Sequence, residues 1–103
     1  MMYSLQFLPE VEEDVMSGYA WYEAKLTGLG GDFNRIFYAS AIEIQRNPLL
    51  YPKVYQIFRR RLVKRFPYAI YFAVEHEKIT VFGLFHCARD PQSVQTLLQN
   101  REQ

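Results

Sequence analysis

The spacing of apolar residues along the chain changes character once, near its middle. Tyr3 to Leu8 alternates weakly and is rich in strand formers, which predicts a short first strand. Pro9 then fixes φ as a first helical turn requires. Glu10, Glu12, Glu13 and Asp14 follow, where negative charge complements a helix dipole. Val11, Val15, Tyr19, Tyr22 and Leu26 recur at spacings of four, four, three and four, so they share one helical stripe and read as core. Gly28, Gly30 and Gly31 end this helix by Thr27. A second helix opens near Asp32 as N-cap, buries Phe33, Ile36, Phe37, Ala41 and Ile44, and stops at Asn47-Pro48. Two amphipathic helices joined by a five-residue glycine-rich loop predict an antiparallel hairpin.

After Tyr51-Pro52 the periodicity becomes that of strands. Val54 to Arg65 is rich in β-branched, aromatic and cationic residues and reads as a strand segment, interrupted by Phe66-Pro67. Tyr68 to Val74 follows, with Ile70, Phe72 and Val74 on one face. Glu75-His76-Glu77-Lys78 reads as a hairpin loop. In the next strand, Ile79 to His86, the residues Ile79, Val81, Gly83 and Phe85 alternate against Thr80, Phe82, Leu84 and His86. Asp90 as N-cap and Pro91 at the first helical position open a short terminal helix, whose Val94, Leu97 and Leu98 pack back onto the sheet. The order β-α-α-β-β-β-α predicts an α+β fold: an N-terminal strand, an antiparallel helical hairpin on one face of a small antiparallel β-sheet, and a short C-terminal helix. The other sheet face is left partly free.

Length sets the scale. A chain of 103 residues has room for one domain, taken as 1–103. Half of its residues are apolar and 17% aromatic, enough for a core without disulfides or metal. The single Cys87 excludes an internal disulfide, fits a reducing compartment and reads as a small hydrophobe. No His, Asp or Glu clustering has metal-ligand spacing, so neither a metal nor a cofactor is expected. The N-terminus lacks a signal-peptide pattern. The longest nearly apolar run, Phe66 to Val74, is nine residues, against about 20 for a membrane span. The expectation is a cytoplasmic protein with no membrane segment.

The net charge is only +1, but its distribution is uneven. Between Lys53 and Val74 lie six basic residues and no acid. Such a field can guide an anionic partner to one face; it can equally protect a sheet edge from aggregation. In an extended strand Arg59, Arg61 and Arg65 share one side, and Arg60 and Lys64 the other. A second polar cluster, His86-Cys87-Ala88-Arg89-Asp90-Pro91, ends the last strand. There His86 titrates near neutrality and Arg89 is permanently charged, so the pair can bind phosphate or carboxylate or assist proton transfer. The plainer alternatives are that His86 donates to a backbone carbonyl and that Arg89 pairs with Asp90. Gly28-Leu29-Gly30-Gly31 is not a phosphate loop, since no strand precedes it and no Lys-Ser/Thr follows. Ser17, Ser40 and Ser93 sit in no nucleophile-elbow sequence.

Taken together, Gly28-Leu29-Gly30, Phe33, Asn47-Pro48, Tyr51-Pro52, Arg60-Arg61, Phe66-Pro67-Tyr68-x-Ile70-Tyr71 and His86-x-x-Arg89-x-Pro91 resemble the RelE/ParE superfamily. These are toxins of bacterial type II toxin–antitoxin (plasmid stabilisation) systems, and the resemblance runs in order from Pro9 to Pro91. It implies growth inhibition by one of two routes. RelE-like members cleave mRNA within the ribosome with basic and aromatic side chains and no metal. ParE-like members lack the nuclease set, and several poison DNA gyrase. Where cleaving members tend to have Tyr-Arg, this chain has Tyr68-Ala69, and Asp90 to Gln103 contains no Tyr. Both departures favour the ParE-like branch and leave catalytic residues unassigned; a nuclease would draw on Arg61, Tyr68, His86 and Arg89. Target or antitoxin binding falls to Arg59, Arg60, Arg61, Lys64, Arg65 and Arg89. The implied partners are a cognate antitoxin covering the helical hairpin and part of the Arg59–Arg65 strand, and DNA gyrase or the ribosome. The implied assembly is a homodimer or a toxin–antitoxin hetero-oligomer. A non-toxic relative that only binds a partner is the third reading. All of them need cations from the two β segments to converge in one accessible patch.

Overall fold

A computed structural model describes residues 2–102, so the first and last residues of the expected 1–103 domain lie outside it. The elements run β1 (Ser4–Phe7), α1 (Pro9–Lys25), α2 (Leu29–Arg46), a 3-10 turn (Pro48–Leu50), β2 (Lys53–Tyr55), β3 (Phe58–Leu62), β4 (Tyr68–Glu75), β5 (Lys78–His86) and α3 (Pro91–Glu102). One five-stranded sheet has the order β1-β5-β4-β3-β2. It is mixed rather than antiparallel, because β1 runs parallel to β5, with Ser4 opposite Lys78 and Phe7 opposite Val81. The reason lies in the basic segment. Val54 to Arg65 is not one strand but two, folded at Gln56, whose φ of 50 suits a tight turn. That adds one chain reversal to the expected topology, and an extra reversal brings β5 round parallel to β1.

The helical hairpin forms as expected, but its seam runs differently. The buried residues of α1 are Val11, Val15 and Gly18, with Tyr22 half-buried, whereas Tyr19 and Leu26 are exposed by 39% and 64%. Gly18 carries no hydrophobic signal, yet the Phe33 ring lies where its side chain would be: a Cβ there would sit 2.4 Å from ring atoms. The stripe therefore passes through a glycine, because only a glycine admits the ring. Helix α2 begins at Leu29, not near Asp32, so the loop is shorter than five residues. Gly28 takes a left-handed φ of 92, and the Glu23 carboxylate accepts hydrogen bonds from the Gly28 and Gly30 N–H groups at 3.0 and 2.9 Å. An α1 carboxylate thus caps α2 and occupies the glycine-loop amides.

Both sheet faces carry a core. Under the hairpin, Phe33, Phe37 and Ile44 pack on Ile70, Phe72, Ile79, Val81 and Leu84. On the opposite face Phe58, Tyr71, Phe82 and Phe85 pack under Val94 and Leu98 of α3. Tyr71 is opposite Gly83 while Phe72 is opposite Val81, so Phe82 is an inserted residue, a β-bulge. The bulge flips the alternation. Leu84, not Gly83, joins Ile79 and Val81 beneath the hairpin, and Phe85 turns to the α3 face with Phe82.

Strand β1 ends at Phe7, and Leu8 N–H makes a last bond to the Val81 carbonyl at 3.1 Å. Beyond that point β5 would expose an unpaired edge. Two side chains complete it. Asp14 of α1 accepts from Leu84 N–H at 3.1 Å, and Arg101 of α3 donates to the Phe82 carbonyl at 2.9 Å. Those are the acceptor and donor that another parallel-strand residue would have engaged. Asp14 and Arg101 also pair with each other at 2.6 and 3.0 Å, each side chain only 13% exposed.

Candidate functional site

The register of β3 against β4 sorts the basic residues. Arg59 is opposite Phe72 and Arg61 opposite Ile70, so both point under the helical hairpin. Arg60 is opposite Tyr71 and Leu62 opposite Ala69, so these point to the α3 face. There a groove of about 350 Å³ opens between the β2–β3 hairpin, β4, the end of β5 and α3. Its cations are Arg60 and Arg89, its hydroxyls belong to Tyr55 and Tyr71, and no acidic residue lines it. Leu62, Ala69, Val94 and Leu98 supply an apolar wall. Among the described residues neither Arg60 nor Arg89 forms an ion pair. Both arginines are exposed, so they are open to an anionic partner, and the apolar wall beside them offers it a second kind of contact.

Local geometry fixes both ends of the groove. At one end the Gln99 amide donates to the Tyr55 hydroxyl at 2.6 Å, tying α3 to the β2–β3 hairpin. At the other, Arg89 N–H donates to the His86 carbonyl at 3.0 Å and Cys87 N–H to the Pro67 carbonyl at 2.7 Å, forming the corner after β5. Asp90 then caps α3, accepting from Ser93 N–H at 3.2 Å, as its sequence position predicts. Arg89 therefore does not pair with Asp90; its guanidinium lies 5.3 Å from the centre of the Phe85 ring. His86 does not donate to a carbonyl but accepts, through Nδ1, from Ala88 N–H at 3.0 Å. The neutral ring accordingly carries its proton on Nε2. Cys87 is exposed at the groove rim rather than buried as a hydrophobe.

The six expected binding residues are thus not gathered into one patch. Arg60 and Arg89 meet in the groove. Arg61 is 8% exposed, donates to the Leu62 carbonyl at 2.7 Å, pairs with Glu43 and leaves Nε without a partner. Burial pulls the Arg61 guanidinium below its ordinary pKa. Arg59 donates to the Tyr51 carbonyl at 2.6 Å on the same hairpin side. Lys64 and Arg65 belong to the loop between β3 and β4, where Arg65 comes within 3.6 Å of Asp32. A hydrogen bond from Arg35, with the charges of Arg35 and Arg65, holds the Asp32 carboxyl below the usual range.

The conditional nuclease set is likewise divided. Tyr68 and His86 touch edge to face at 5.2 Å, and Arg89 lies near enough for its charge to oppose the upward pull of burial on the Tyr68 hydroxyl. Arg61 stands apart, beside Glu43. Tyr55, Tyr71 and Gln95 also line the groove, although the sequence motifs assign none of them a binding role. Of these, Tyr71 was signalled by alternation, since it faces away from Ile70 and Phe72. The described residues contain no group of three His, Cys, Asp or Glu able to hold a metal. No helix among them is long and apolar enough to cross a membrane.

No protein-family model matches the sequence, and no curated protein matches it. Solved structures do match. A chain of the chromosomal ParDE toxin–antitoxin system from P. aeruginosa superposes with a TM-score of 0.72 at 18% identity, covering 82% of this chain and 96% of that one. A chain of the archaeal RelE–RelB complex from Pyrococcus horikoshii OT3 gives 0.55 at 12% identity, covering 87% and 100%. The fold that the sequence motifs led us to expect is present: this chain has the RelE/ParE-like α+β architecture.

Proposed function

We propose that this chain is the toxin component of a type II toxin–antitoxin system, of the ParE-like kind. It arrests growth by binding a cellular target, with DNA gyrase the leading candidate, and a cognate antitoxin neutralises it. It acts in the cytoplasm as a single domain over residues 1–103. The observation that carries this reading is the groove: Arg60 and Arg89, both without an ion-pair partner among the described residues, line it beside apolar residues, with no acid among the lining. Such a surface suits an acidic, partly apolar protein segment, because opposite charge speeds encounter and apolar contact holds the complex. A polynucleotide would be expected to engage a longer run of cations than two. The neighbours by fold come from a ParDE toxin–antitoxin system and a RelE–RelB complex, which supports an antitoxin partner here.

One observation favours a second reading, a metal-independent, ribosome-dependent mRNA endoribonuclease. Arg60, His86 and Arg89 line the same groove, and His86 presents its Nε2 proton away from the Ala88 bond. That arrangement can neutralise a phosphate and pass a proton to a leaving oxygen. Against it stands Arg61, whose charge is already met by Glu43.

The experiment is induced expression with two readouts. Growth arrest, with inhibition of gyrase supercoiling by the purified chain and no new mRNA ends by primer extension, supports the ParE-like reading. New mRNA ends with unaffected supercoiling replaces it with the nuclease. Normal growth at high expression sinks both and leaves a non-toxic binding relative. Co-purification with the product of an adjoining reading frame tests the antitoxin.

A further inference from the structure

One wall of the groove is α3, and α3 belongs to neither the sheet nor the hairpin. A lone 12-residue helix is marginal in water, so its order comes from what it docks against. Its anchors are Val94 and Leu98 buried on the sheet with Leu97 half-buried beside them, the Gln99–Tyr55 bond, and Arg101 at its far end. Arg101 reaches the open edge of β5 and meets Asp14, which comes from α1 on the opposite side of the sheet. Among the described residues this is the only ion pair or side-chain hydrogen bond joining α1 to α3. The absence of a side chain at Gly83 makes room for it, since a Cβ there would lie 3.1 Å from Arg101 Nη1 and against the Phe85 ring on which the guanidinium rests at 5.0 Å.

We propose that the Asp14–Arg101 pair is a latch that positions α3 as the wall of the cationic groove and ties that wall to the helical hairpin across the sheet edge. The proposal rests on the groove being the working surface of the toxin. Two bonds join the carboxylate and guanidinium, and each partner also satisfies a backbone group of β5, so neither can leave without stranding a charge and an edge group. Loss of the latch frees α3 from its C-terminal end backward, toward Leu98 and Gln95 in the groove wall. Asp14 and Arg101 touch no ligand in this scheme; they are positioning residues.

Amide hydrogen exchange and methyl NMR on the full chain test the latch. The variants are Arg101→Met, which keeps the apolar stem, Asp14→Asn, which changes only the α1 side, and Arg101→Lys as a conservative rescue. In the first two, exchange of the amides from Leu97 to Asn100 is expected to rise at least tenfold more than that of Ile70–Val74 in β4, with shifted Val94 and Leu98 methyl signals; Lys restores part of the protection. Inducible growth arrest is expected to need at least tenfold more inducer for Arg101→Met. Equal acceleration in α3 and β4 overturns the proposal, because the pair then merely stabilises the whole fold. Unchanged α3 exchange, or freed α3 with unshifted groove methyls and undiminished arrest, overturns it as well. A wild-type chain that fails to arrest growth sinks the toxin reading alone, and the exchange and methyl readouts still decide the latch.

Discussion

Replacing Arg61 by methionine separates a structural arginine from a functional one. Arg61 is 8% exposed and its Nε has no partner, so the burial of its charge is incompletely repaid. Methionine removes one charge-assisted hydrogen bond, to the Leu62 carbonyl, worth about 2 kcal/mol. It also removes the pairing with Glu43; because that side chain is 46% exposed and re-solvates easily, the loss is about 0.5 kcal/mol. Set against these is the relieved desolvation of the guanidinium, a few kcal/mol for a group this deep. The methionine stem keeps packing near Tyr51, over whose ring the guanidinium now lies at 5.7 Å. The terms nearly cancel, and Arg61→Met is expected within about 1 kcal/mol of wild type in urea unfolding followed by circular dichroism. The converse change, Glu43→Ala, strands the buried charge and costs about 1–2 kcal/mol, below the usual figure because its end of the pair is solvated. Growth arrest should survive Arg61→Met. A loss above about 3 kcal/mol would refute the cancellation; a stable variant without arrest would show Arg61 acting on the target.

Three further outcomes are expected. Glu23→Ala removes the cap on α2 and should cost about 1 kcal/mol in the same unfolding assay, with Glu23→Gln nearer wild type; no effect would mean the Gly28 and Gly30 amides are satisfied by water instead. Because Asp32 has a depressed folded-state pKa, its contribution exists above the unfolded carboxylate pKa and disappears as pH falls through the folded one. Wild type should therefore exceed Asp32→Asn in stability at pH 7, more so at low salt, and the gap should close in acid. Burial raises the Tyr22 and Tyr68 pKa values, so the folded state holds those protons longer than the unfolded chain. Stability should fall as pH climbs from about 10 upward, and Tyr68→Phe should flatten that fall in alkaline urea titrations.

The sequence made most of the fold legible because helices and strands signal their buried faces through period. Val11, Val15, Phe33, Phe37, Ile70 and Phe72 stood out for that reason, and all are buried. What escaped were features without an apolar signature. Gly18 belongs to the helix seam by virtue of an absent side chain. Phe82 flips the alternation of β5 through a bulge, which depends on pairing with β4 rather than on local composition. The turn at Gln56 contains no glycine, so β2 and β3 merged, and the direction of β1 relative to β5 was lost with them. The site was legible by residue type and not by grouping. Arg60 and Arg61 are adjacent in sequence yet point to opposite faces, and only the register across Tyr71 and Ile70 decides which reaches the groove. Asp14 and Arg101, separated by almost the whole chain, carried no sequence signal of their meeting.

The direct test of the account is growth arrest by the folded Arg60→Glu/Arg89→Glu variant, compared with Arg59→Glu on the opposite face at matched expression. Reversing both groove charges is expected to abolish arrest, while Arg59→Glu retains it. Undiminished arrest with the groove reversed, in a chain whose circular dichroism and melting match wild type, would show that arrest comes from another surface and contradict the account.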